Sequence, residues 1–157
     1  MRLILTSCVA AGLLAGPVLA GPGGDLADFA GSIQGQAESR ARQAAANPAA
    51  PASPIDIEDP FYFELEQFSV DALRLSRAID TAGGPADLRC IFRGMSADAG
   101  QRLDALNTAE TSADQARVYR AIAALMQDAV NIAPAVDDED ALPEGFAPPA
   151  SCPASRS

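Results

Sequence analysis

The sequence predicts an all-α fold, a small helical bundle of two long and two short helices with flexible Pro/Ala-rich and acidic flanks. Apolar residues recur every three to four positions across 60–82 and 113–133, which places them on one face of a helix. Glycine or proline stands at the end of each of these segments. No segment alternates apolar and polar positions with an excess of β-branched residues, so no strand is expected.

The first twenty residues are predicted to be a secretory signal peptide (residues 1–20). Arg2 provides a positive start, residues 3–14 are largely apolar, and Ala20 ends a small-residue cleavage motif. An uncleaved membrane anchor is the alternative, but the apolar run is short for a span. Cys8 resembles a lipoprotein cysteine but comes too early in that run. We therefore expect a periplasmic or secreted protein with no stable membrane insertion after signal cleavage.

The next segment, residues 21–59, is predicted to hold a weak helix and a linker. Residues 25–46 keep helical spacing, but Gly31 and Gly35 each cost about 1 kcal/mol relative to alanine. We expect this helix to fray and the helical domain that follows to fold without it; the alternative is a helix that docks on the core or on a partner. Several prolines in residues 47–59 predict a semi-extended linker.

The helical domain itself is predicted to span residues 60–133. Its first long helix begins at Pro60 after an N-cap at Asp59, and it ends before Gly83. The predicted inward face consists of Phe61, Leu65, Phe68, Ala72, Leu75 and Ile79.

The second long helix is predicted from Ala113 to Ala133. Ser112 and Gln115 have the spacing of a capping box, and Pro134 ends the helix. The predicted inward face consists of Val118, Ile122, Leu125, Ala129 and Ile132. Because each long helix needs a partner for its apolar face, we expect the two to pack against each other.

Two short helices are predicted between the long ones. The first covers residues 85–93 and stops at Gly94. The second begins after an N-cap at Ser96 and reaches about Asn107.

The last segment, residues 134–157, is predicted to be an acidic, Pro-rich tail tethered by Cys152. Loss of the signal peptide removes Cys8 and leaves Cys90 and Cys152, which in an exported protein predicts one disulfide. The bridge would hold the otherwise mobile tail against the first short helix.

Composition excludes several kinds of chemistry. The chain has no histidine, and all eleven of its basic residues are arginine. Without histidine or lysine, neither a Ser-His-Asp triad nor a Ser-x-x-Lys site can form, and the absence of histidine also excludes a haem attachment motif. The formal net charge of −10 argues against nucleic acid as a partner. No catalytic residue, cofactor or metal site is therefore predicted.

Three groups of residues are candidates for sites. The acidic run Asp137–Asp140 lacks the ligand spacing of an EF-hand and is interpreted as a solvated run. Arg89 and Arg93 stand one turn apart and could bind an anion, although a solvated face is the simpler interpretation. Tyr62 and Tyr119 are interpreted as residues at the edge of the core.

These observations predict an exported, non-enzymatic binding protein, with another protein of the bacterial cell envelope as its partner. A carrier of a small apolar ligand is the alternative, and an enzyme using carboxylates and arginines is a third. A carrier would need an apolar cavity between the long helices. Its expected lining is Phe68, Leu75, Ile122 and Leu125. The sequence predicts neither the partner's identity nor the oligomeric state.

Overall fold

A computed structural model describes residues 21–138 and Cys152, and it contains four α-helices. They are α1 (Pro22–Ala45), α2 (Pro60–Thr81), α3 (Ala86–Thr108) and α4 (Ser112–Ile132), followed by a 3-10 turn, Ala133–Val136. The predicted all-α class is confirmed. The predicted signal peptide and most of the predicted tail lie outside the described residues. No helix in the described part of the chain is long and apolar enough to cross a membrane.

Consecutive helices run antiparallel and close into a ring. Helix α1 packs chiefly on α4 and α2 chiefly on α3, while weaker α1–α2 and α3–α4 contacts complete the bundle. The expectation that α2 and α4 are neighbours is therefore wrong, because they lie diagonally across the bundle. They still meet through side chains in its centre, where the rings of Phe61 and Tyr119 pack edge to face with centroids 5.7 Å apart.

Helix α1 is a full member of the bundle, which corrects the prediction of a fraying segment. Ile33 is fully buried, and burying a side chain of this kind contributes about 1.5–3 kcal/mol. That gain offsets the intrinsic cost of Gly31 and Gly35. A Cβ at Gly31 would make only an ordinary contact with Val130, and one at Gly35 would meet nothing within 4 Å. The remaining buried apolar residues of α1 are Leu26, Ala27, Ala30, Ala37 and Ala41.

Helix α2 matches its prediction closely. An Asp59 carboxylate oxygen accepts a hydrogen bond of 2.9 Å from the Phe61 N–H, which caps the helix. At the other end Gly83 adopts a φ of 70°, and the Gly84 N–H donates to the Ile79 carbonyl at 2.8 Å. All six predicted inward residues are buried.

Helix α3 is one continuous helix, where two short ones were predicted. Phe92, Met95, Ala99 and Leu103 form an unbroken buried stripe through the predicted break. This packing outweighs the cost of about 1 kcal/mol for Gly94 inside a helix. The Ser96 side chain does not cap a helix. The backbone carbonyl of Ser96 accepts a hydrogen bond of 2.9 Å from the Ser69 hydroxyl on α2. The bundle therefore has four helices of similar length.

The start of α4 also differs from its prediction. The cap is Thr111 with Asp114, one residue earlier than the predicted pair of Ser112 and Gln115. A hydrogen bond from the Thr111 hydroxyl lowers the pKa of the Asp114 carboxyl. The Gln115 side chain instead donates to the carbonyl oxygen of Ser53 in the linker.

The linker between α1 and α2 is docked on this end of α4, so it is not a free spacer. The Ala50 carbonyl accepts from the Ser112 N–H at 2.9 Å, and the Pro48 carbonyl accepts from the Ala113 N–H at 3.1 Å. These bonds satisfy N–H groups that have no partner within the helix. Ile55 anchors the linker in the core.

The opposite end of the bundle is closed by Asp137. Its two carboxylate oxygens accept hydrogen bonds from the Gly23 N–H at 3.0 Å and the Gly24 N–H at 2.6 Å. Asp137 therefore caps α1, which corrects its interpretation as part of a solvated run. Gly23 also lies so close to the Ala133 carbonyl that a Cβ there would overlap it. Positions 139 and 140 of the predicted acidic run lie outside the described residues.

Cys90 and Cys152 lie at disulfide-bonding distance, as the predicted pairing requires. Their sulfur atoms are 2.11 Å apart and their Cα atoms 5.2 Å apart. Cys152 is thereby tethered to the N-terminal half of α3, at the same end of the bundle as Asp137.

Candidate functional site

Two surface grooves flank helix α2 and differ sharply in character. One lies between α2 and α1 and is apolar at its base. The other lies between α2 and α3 and is lined by arginine side chains. The structure therefore places the predicted pair Arg89 and Arg93 in a groove, rather than on a featureless face.

The first surface, here called the apolar strip, consists of two adjoining grooves that share Phe29. One has a volume of about 360 Å³ and lies between the start of α1 and the end of α2. The other has a volume of about 440 Å³ and extends toward the start of α2. The apolar lining residues are Leu26, Phe29, Phe63, Val70, Leu75 and Ala78.

Two residues of the apolar strip are unusually exposed for their type. The Phe63 side chain is 55% exposed and Val70 is 43% exposed. They stand seven positions apart on α2, so they lie on one side of the helix, away from its buried face. Large apolar side chains that share an exposed face are typical of an interaction surface.

The edge of the apolar strip carries excess negative charge. Asp25, Glu64, Glu66 and Asp71 line the grooves, and Arg74 is the basic residue among their lining. Arg74 is already paired, because its guanidinium lies 2.9 Å from an Asp71 carboxylate oxygen. The strip therefore presents apolar side chains within an anionic rim.

The sequence alone could have indicated this surface. Phe63 and Val70 are large apolar residues of α2 that do not belong to its predicted inward face. Their separation of seven residues marks a second, narrower apolar line on the same helix. Only the fold shows that Phe29 of α1 joins this line.

The second surface, here called the arginine groove, has a volume of about 430 Å³. Its charged lining consists of Arg77, Arg89, Arg93 and Asp80. Asp80 forms an ion pair with Arg89. This single carboxylate is therefore engaged, and the groove holds no pair of acids suited to general acid–base catalysis among its described lining.

A third charged cluster is structural. The Arg40 guanidinium donates to both oxygens of Asp59, at 2.8 and 2.7 Å, and lies 4.8 Å from the centroid of the Phe61 ring. Partial burial opposes ionisation of Asp59, but hydrogen bonds from Arg40 and the Phe61 N–H, with the charge of Arg40, lower its pKa. All of these groups satisfy one another, and they join α1 to the start of α2.

The two tyrosines lie where they were expected. Tyr119 is buried and Tyr62 is partly buried against the core. The negative charge of Glu66 raises the pKa of Tyr62, which keeps the phenol protonated at neutral pH. Among the described residues, no group of three or more His, Cys, Asp or Glu side chains is arranged to hold a metal ion.

The residues expected to line a carrier's cavity are part of the packed core. Phe68 and Ile122 are fully buried, and Leu75 and Leu125 nearly so. Of the four, Leu75 also borders the apolar strip, which is an open surface groove.

No family model matches the chain, and no curated protein or solved structure matches it either.

Proposed function

We propose that this protein is a non-enzymatic binding protein of the bacterial cell envelope, and that the apolar strip is its binding surface. The observation that carries the proposal is the pair of exposed side chains Phe63 and Val70 beside Phe29. Burial of apolar surface is the dominant favourable free-energy term in most protein association. The four residues expected to line a carrier's cavity are buried members of the core cluster, which favours this proposal over the ligand carrier.

The partner that best fits this surface is a cationic amphipathic helix. From Phe63 to Ala78 the strip follows α2 for about 22 Å, at 1.5 Å per residue. That length accommodates about four turns of a second helix lying in the groove between α1 and α2. Arginine or lysine residues on the partner would meet the rim formed by Asp25, Glu64 and Glu66.

Placement in the envelope rests on the predicted signal peptide, residues 1–20. Mass measurement of the protein from its native host tests it directly. We expect a chain that begins at or near Gly21. An intact Met1, or a lipid on Cys8, would contradict export by this route.

The binding surface is tested by site-specific photo-crosslinking in the native envelope. A photoreactive phenylalanine analogue at Phe63 should capture a discrete partner, and the double variant Glu64→Gln with Glu66→Gln should weaken that capture. Ile57 is the matched control, because it is 69% exposed but lies in the linker, outside the apolar strip. The same analogue at Ile57 should give no such product.

The captured product also tests the partner's chemistry. Its crosslinked peptide should be a basic segment with apolar residues at helical spacing. Equal capture from Ile57 and Phe63, or an acidic crosslinked peptide, would contradict the proposal.

A further inference from the structure

We propose that the arginine groove is a binding site for a small organic anion that carries at least two negative charges on carboxylate or phosphate oxygens. The inference is independent of the proposed function, because this groove lies between α2 and α3 and the apolar strip lies between α1 and α2.

The described lining of the groove is net positive, whereas the chain as a whole is net negative. Within the part of the chain that the structure describes, three arginines and one aspartate line it, in a protein whose formal net charge is −10. A small anion is repelled by most of this surface, so a local positive groove becomes its preferred binding position. Arginine also suits this role because its planar guanidinium offers paired N–H groups that match carboxylate and phosphate oxygens.

The three arginines come from two helices that are held in register. Arg77 belongs to α2, whereas Arg89 and Arg93 stand one turn apart on α3. The Ser76 hydroxyl donates to the Arg89 carbonyl at 2.9 Å and so fixes α2 against α3 beside the groove. Only 14% of the Arg89 side chain is exposed, and Asp80 orients its guanidinium. This part of the site is therefore rigid before a ligand arrives.

The other two arginines are available to a ligand. Arg77 and Arg93 are both exposed, and neither forms an ion pair with another residue in the described ranges. Among the described lining residues Asp80 is the one carboxylate, and it pairs with Arg89, so it does not neutralise the combined charge of Arg77 and Arg93. A ligand with two negative charges would balance the charge that remains in the groove.

The size of the groove favours an organic anion over a bare inorganic ion. Its volume of about 430 Å³ is on the order of a dozen water molecules at ~30 Å³ each. Leu73 and Ala97 contribute apolar surface beside the arginines. This surface would contact the carbon skeleton of a ligand while the arginines bind its charged ends.

Calorimetric titration of the full mature chain tests the proposal. Citrate probes for carboxylate ligands and glycerol phosphate for phosphate ligands, each at constant ionic strength set with sodium chloride. We expect saturable binding of at least one probe with a dissociation constant of about 1 mM or tighter, the range for two charge-assisted contacts. The probe that binds more tightly shows whether the site prefers carboxylate or phosphate groups.

Matched variants locate the site. Arg77→Gln and Arg93→Gln should each weaken binding at least fivefold and leave the melting temperature of the free protein nearly unchanged, since both side chains are exposed. Arg120→Gln is the control, because Arg120 is also exposed but lies on α4. The absence of saturable binding of either probe, or an equal loss in the Arg120 variant, would overturn the proposal.

Discussion

At the scale of single residues, the Arg40–Asp59 pair predicts how stability depends on pH. The folded protein holds the pKa of Asp59 below its ordinary value, so the unfolded chain takes up the proton first as the pH falls. The stabilisation is therefore present above an ordinary aspartate pKa of about 3.9 and is lost as the pH falls through the folded value. Urea unfolding should show Asp59→Asn to be about 1–3 kcal/mol less stable than the native chain at pH 7, with a smaller difference at pH 3.

This substitution isolates the ion pair from the helix cap, because asparagine caps a helix about as well as aspartate does. Arg40→Gln should reduce the pH dependence in the same way, and the double variant should add little to either single one. Fully additive losses would show that the two side chains do not stabilise the fold as a pair.

Two glycines of α1 give opposite predictions for the same substitution. Gly23→Ala places a Cβ against the Ala133 carbonyl, and it should destabilise the protein because backbone must move to relieve the overlap. Gly35→Ala meets nothing within 4 Å and should stabilise by about 0.5–1 kcal/mol, since alanine restricts the unfolded chain and favours helix. Thermal melts of both variants test this. Similar shifts of the same sign would contradict the described packing of α1 on Ala133.

At the scale of elements, we expect that α1 cannot be removed without loss of the folded bundle. Its buried face packs mainly on α4, so a chain that starts at Pro54 would expose apolar surface of α4, including Val130, which lies beside Gly31. We expect circular dichroism of this truncated chain to show reduced helix content and no cooperative melt. A cooperative melt close to that of a chain that starts at Gly21 would show that the bundle does not need α1.

The sequence pattern predicted an element well only where the periodic apolar residues and the capping or helix-ending residues indicated the same boundaries. Asp59, Pro60 and Gly83 frame a strongly periodic stripe, and α2 follows that prediction at both ends. In α1 and α3 the glycines suggested weakness or a break, but helix propensity counts for less than the burial of Ile33 and Phe92. Which helices become neighbours depends on the whole fold, so the contribution of Phe29 to the apolar strip could not be read from α2 alone.

At the scale of the whole molecule, the Cys90–Cys152 pair should determine thermal stability. The two cysteines are separated by 62 positions, and closing a loop of that size in the unfolded chain corresponds to about 4 kcal/mol in the chain-entropy account. Cys90→Ser should therefore lower the melting temperature by several degrees.

The matched controls for the bridge are Cys152→Ser and the double variant. If the two cysteines stabilise the protein only by bonding to each other, all three variants should melt at the same temperature under non-reducing conditions. Thiol labelling of a native chain that starts at Gly21, without Cys8, should find no free cysteine. Two free thiols, or a dimer on a non-reducing gel, would contradict the intramolecular bridge.

The cap that Asp137 places on α1 brings positions 23 and 137 into direct contact, although Gly23 lies in the first turn of α1 and Asp137 follows the 3-10 turn after α4. The beginning of α1 and the residue that follows the last turn are therefore neighbours in space. The chain could be opened between two other helices without separating any pair of packed helices. A circular permutant that joins Ser157 to Gly21 through a flexible linker and opens between Gly83 and Gly84 should adopt the same bundle. In that permutant α1 and α4 would become sequence neighbours, and the most extensive helix pair of the fold would change from a long-range contact into a local one.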